Sequence, residues 1–116
     1  MSFKATARDI GEATVVDLTG RITLGEGSAM LREMLKELVS KGRKHVVLNL
    51  GEITYIDSSG IGELVSGFQT VRGSGGELKL LNLTKKVHDL LQITKLYTVF
   101  DVHSDENAAL SSFSKS

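Results

Sequence analysis

The chain has no cysteine, so disulfides, thiolate metal ligands and a thiol nucleophile are all excluded. It has no net charge either: 14 basic residues balance 14 acidic ones, and no run of like charge substitutes for a net field. Nothing here gathers phosphate backbones or anionic lipid, and nucleic acid is not an expected partner. The three histidines lack the H-x-x-x-H spacing of a metal site, so neither a metal nor another cofactor is expected. No apolar run approaches the ~18 residues that span a bilayer. The N-terminus MSFKATARDI lacks the apolar core of a signal peptide, and a cytoplasmic protein without direct membrane insertion is the expectation.

What is present fits one folded unit. A length of 116 residues supports one hydrophobic core and does not call for a second domain. The hydrophobic fraction of 41% and charged fraction of 24% are those of globular proteins, and 12 glycines point to tight turns. From Phe3 to Leu18 two alternating runs flank Gly11-Glu12, which predicts a strand hairpin. After Gly25-Glu26-Gly27, Ser28 is placed to cap a helix through Leu31, Met34, Leu35 and Leu38, stopped by Gly42. HVVLNL at 45–50 is nearly all apolar, the pattern of a central strand covered on both faces.

A second helix follows, with Ile61, Leu64, Val65, Phe68 and Val71 in helical spacing and GSGG at 73–76 as its stop. ELKLLNL at 77–83 predicts a strand, Thr84 the cap of a short helix through Val87, Leu90 and Leu91, and YTVFDV at 97–102 a further strand. Ser104 or Asp105 opens a last short helix, and residues 113–116 are expected to fray. The order implies an α/β fold: a mixed, mostly parallel sheet of about five strands with about four helices and right-handed crossovers.

Between two apolar segments stands Asp57-Ser58-Ser59-Gly60, where a strand ends and a helix begins. In α/β proteins that edge of the sheet carries sites. Asp57 or Ser58 can equally serve as a plain helix cap, and local sequence leaves both roles open. Three catalytic patterns fail. A nucleophile elbow needs G-x-S-x-G where this chain has D-S-S-G-I-G. A phosphate loop needs a lysine that follows neither Gly60 nor Gly62. A Ser-His-Asp triad drawing on His88 or His103 has no evident oxyanion hole. Gly60, Gly62 and Gly67 are expected to let the helix pack closely. A hydroxyl without a base or a nucleotide-binding lysine is better placed as substrate than as catalyst, and no enzyme is expected.

HVVLNLGEITYIDSSGIGEL, VRGSGGELKLLNL and VHDLLQITKLYTVFDV together resemble the STAS domain family, in particular its stand-alone bacterial anti-sigma factor antagonists. The resemblance covers nearly the whole chain, and implies a single STAS domain over 1–116. It implies binding to an anti-sigma factor that is also a serine kinase. That kinase would phosphorylate the first hydroxyl residue of D-[ST]-[ST]-G, here Ser58, and a PP2C-type phosphatase would reverse it. Asp57, Ser59 and Gly60 complete the motif. Partner contacts are expected from these four residues, from Glu63, Ser66 and Gln69 off the apolar stripe of the following helix, and from Arg21 and Thr23 in the Gly20 to Ser28 loop. Gly20-Arg21-Ile22-Thr23 departs from the acidic G-E-L-D stretch with which many antagonists contact the kinase. The protein is expected as a monomer or weak homodimer. The alternative implied by the same family is a STAS subunit of a lipid-transport ATPase or a signalling scaffold, not controlled by phosphorylation; neighbouring genes separate the two.

Overall fold

Alternation in the first twenty residues becomes a hairpin in the computed structural model, which describes residues 3–114. Strands β1 (Lys4–Ile10) and β2 (Ala13–Ile22) pair antiparallel around Gly11, whose φ of +62° suits glycine. Then follow α1 (Glu26–Ser40), β3 (His45–Ile56), α2 (Ser58–Gly73), β4 (Glu77–Leu81), α3 (Lys85–Ile93), β5 (Asp101–His103) and α4 (Glu106–Ser111). The sheet order is β1-β2-β3-β4-β5, and every pair after the first is parallel. This is the expected mixed, mostly parallel sheet with its helices.

Val46-Val47-Leu48 is apolar without a break because both faces of β3 are covered. Val46, Leu48 and Leu50 join Val16, Leu18 and Leu80 under Leu31, Leu35, Leu64, Val87 and Leu91 of α1, α2 and α3. Val47, with Val15 and Leu81, faces Ala109, Leu110 and Phe113 at the C-terminal end. Each fully buried Val or Leu is worth about 1.5–3 kcal/mol, so the larger layer dominates stability.

Four details differ from the sequence expectations. Helix α1 begins at Glu26, before Ser28: Gly25, at φ +102° and ψ −122°, turns the chain directly into the helix without a side-chain cap. Ser28 lies buried in the first turn, where its N–H donates to Thr23 O. The strand expected at 97–102 is cut to Asp101–His103, which pairs with Lys79–Leu81 of β4. Tyr97–Val99 instead forms a 3₁₀ turn whose tyrosine packs edge-on against His88. The strand expected at 77–83 ends at Leu81, and Asn82 takes a φ of +60°. Finally, Gly62 touches nothing that a methyl group would meet, so close packing belongs to Gly60 and Gly67 alone. Of the tail expected to fray, Phe113 stacks on His45, and residues 115 and 116 lie outside the described residues.

Strand β3 outruns β4, which pairs with it only as far as Asn49. Its last residues are therefore flanked by β2 on one side, while α3 packs against β3 beyond the end of β4. That overhang builds the site. Among the described residues no helix is long and apolar enough to cross a membrane.

Candidate functional site

The end of β2 is the floor on which two helices start. A side chain at Gly60 would run into Ile22 O and the Ile56 side chain, and one at Gly27 into Arg21 O. Only glycine lets the first turns of α2 and α1 approach this backbone so closely.

Asp57 ties the pieces together. Its extended backbone (φ −111°, ψ −174°) places it as the N-cap of α2, where Oδ1 accepts from Gly60 N–H at 2.9 Å. Its other oxygen, Oδ2, accepts from Leu24 N–H at 3.2 Å, and its own N–H donates to Ile22 O at 3.3 Å. One carboxylate thus caps a helix and fixes the β2–α1 loop; a cap alone is worth about 1 kcal/mol.

With Asp57 doing the capping, Ser58 is free. It is the first residue of α2, exposed, and its hydroxyl has no hydrogen-bond partner among the described residues. The three histidines are engaged elsewhere: His45 stacks on Phe113, His88 packs against Tyr97 and His103 lies beside Asp101. Ser59 is half-buried and Gly60 buried.

The other expected contact residues divide. Arg21 and Thr23 reach the same edge, Arg21 through its register pairing with Tyr55 and Thr23 through the loop that Asp57 anchors. Ser66 and Gln69 are exposed on α2. Glu63 turns sideways to Arg32 of α1 at 2.7 Å, with its side chain only 15% exposed. It holds α1 to α2 and is less available to a partner than its place off the apolar stripe implied.

An apolar patch beside Ser58 was missed by the sequence reading. Leu24 is 79% exposed, Ile93 75% and Tyr55 40%. Tyr55, Ile56, Leu90 and Ile93 line an open groove of about 470 Å³ between the β3 overhang and α3. Arg21 and Lys86 lie over the Tyr55 ring, 5.0 and 5.4 Å from its centre. The one sequence signal for this patch was Ile93, which sits off the Val87, Leu90 and Leu91 stripe. Large exposed aliphatics clustered at one edge mark interaction surfaces.

Comparison with known proteins agrees with this architecture. The model of the STAS domain family matches residues 4–109. An anti-sigma-B factor antagonist of Bacillus subtilis (strain 168) is 34% identical over 87 residues, which cover 75% of this chain and 78% of the relative. The crystal structure of an anti-sigma factor antagonist from Mycobacterium paratuberculosis superposes with a TM-score of 0.85 at 17% identity, covering 96% of this chain and 93% of that one. The Bacillus cell fate determinant SpoIIAA in its phosphorylated form superposes at 0.74 and 18% identity, over 95% of this chain and 99% of that one.

Proposed function

Given that the chain belongs to the STAS domain family, we propose that it is an anti-sigma factor antagonist, a binding protein switched off by phosphorylation of Ser58. Its partner on this reading is an anti-sigma factor with serine kinase activity, and a PP2C-type phosphatase restores it. The observation that carries the reading is the division of labour at the start of α2: Asp57 caps the helix with one oxygen and holds the β2–α1 loop with the other, while the Ser58 hydroxyl is exposed and unbonded. Such a hydroxyl is built to be presented to another protein's active site.

The physics of a switch follows from the same geometry. Phosphoserine brings about −1.5 to −2 charges at neutral pH. At the exposed N-terminus of α2 the helix dipole favours it by roughly 0.3–1 kcal/mol, and the neighbouring Asp57 carboxylate opposes it by a similar amount. The fold is left nearly unchanged. In a complex the dianion loses water, and without matched cations that costs several kcal/mol. Losing about 3 kcal/mol weakens binding more than a hundredfold.

The partner surface on this reading combines the Ser58 loop, Leu24, Arg21, Thr23, the exposed Ser66 and Gln69 of α2, and the Tyr55–Ile93 groove. The test is incubation with ATP and the serine-kinase anti-sigma factor of the same genome, followed by mass spectrometry of the YIDSSGIGEL peptide. Phosphate on Ser58 is expected; phosphate on Ser59 alone, or none, overturns the assignment.

A further inference from the structure

Two cations at the Ser58 edge are engaged by no carboxylate. Arg21, at the end of β2, and Lys86, in the first turn of α3, are both exposed and sit on the Tyr55 ring at 5.0 and 5.4 Å. Neither forms an ion pair with Asp or Glu among the described residues. A cation on an exposed ring is weakly held. A phosphate dianion with three acceptor oxygens is a stronger partner for arginine and lysine than a ring face.

Several other groups at this edge are already committed. Gly60 N–H and Leu24 N–H are bonded to Asp57, whose carboxylate repels a phosphate. Arg32 is paired with Glu63 and Lys85 with Asp89, each at 2.7 Å. Arg21, by contrast, is joined to the Ser58 segment by the sheet itself: it pairs in register with Tyr55, and the next residue, Ile22, accepts from Asp57 N–H.

We propose that Arg21 and Lys86 are the internal receptor for the phosphate on Ser58, leaving the face of Tyr55 to close on the dianion when it forms. The proposal rests on Ser58 being the phosphoacceptor and adds how the modified state is held. Phosphorylation then does more than add negative charge: it withdraws two cations from the partner-facing surface and uncovers Tyr55. Arg21, at the end of β2, acquires a role as a phosphate ligand.

The experiment installs phosphoserine at position 58 during translation, so its outcome does not depend on any kinase; failure of the phosphoacceptor reading would show separately, as an unlabelled peptide after kinase incubation. Phosphorus NMR then follows the second ionisation of the phosphate with pH. Its midpoint is expected to lie lower in the otherwise wild-type protein than in Arg21→Gln/Lys86→Gln by roughly half a pH unit or more, with each single variant between. Lys4→Gln, on β1, is expected to leave the midpoint unmoved. Equal midpoints in wild type and the double variant, or a shift reproduced by Lys4→Gln, would overturn the proposal.

Discussion

The β1 side of the sheet and the Ser58 edge handle charge in opposite ways. On the β1 side both arginines are matched: Arg8 holds Asp17 and Glu106 at 2.6 and 2.8 Å, Asn49 adds a bond to Asp17, and Arg43 reaches Asp9. At the Ser58 edge, Arg21 and Lys86 lie on an aromatic ring, a hydroxyl goes unbonded, and Leu24 and Ile93 face water. The first arrangement is complete within the chain. The second is left open, and an open set of cations, hydroxyl and aliphatics is what a partner or a modification completes.

The contrast breaks in graded ways. The largest effect belongs to Gly60→Val, because the open edge stands on a closed backbone contact with Ile22. A loss of about 3 kcal/mol in unfolding free energy is expected from denaturant titration, since neither strand nor helix can yield cheaply. Leu24→Ser/Ile93→Ser should leave the melting temperature within a degree or two while weakening the partner complex roughly tenfold, read by calorimetric titration. Arg8→Gln should do the reverse, costing about 1 kcal/mol of stability after solvent screening of its half-exposed pairs, with partner affinity unchanged.

The smallest effect is in pH. The hydrogen bond from Arg8 holds the Asp17 carboxyl below its ordinary 3.8, against the opposing effect of burial and with help from Asn49. A carboxyl whose folded pKa is depressed contributes stability that is complete above its unfolded value and is lost as pH falls through the folded one. Thermal melts at roughly pH 5 and pH 3 should therefore show a larger drop for the wild type than for Arg8→Gln.

Much of this was legible in the chain. The alternation of strands and amphipathic helices implied the mixed, mostly parallel sheet, and the cap at Thr84 was readable outright, while those at Asp57 and Asp105 were narrowed to a pair of neighbours each, because a short oxygen-bearing side chain before an apolar stripe serves well as a cap. Ser28 looked the same locally, yet Gly25 could take a positive φ and start α1 earlier. The shortened β5 was not readable, because Tyr97–Val99 is drawn into a 3₁₀ turn whose tyrosine packs on His88 of α3, a contact between different elements. Nor was the groove: Tyr55 and Ile93 belong to different elements, and only the overhang of β3 past β4 brings them together. Glu63 illustrates the same limit, as a polar residue off the apolar stripe turned out to be bound to Arg32.

The central claim is that Ser58 is a switch acting on a complex and leaving the fold alone. Its most direct test is the affinity of the wild type, Ser58→Ala and Ser58-phosphorylated protein for the serine-kinase anti-sigma factor, with the melting temperature of each. The account predicts that phosphorylation weakens binding by about a hundredfold or more while the three proteins melt within a few degrees of one another. Equal affinities for all three, or loss of binding only where the protein also unfolds, would contradict it.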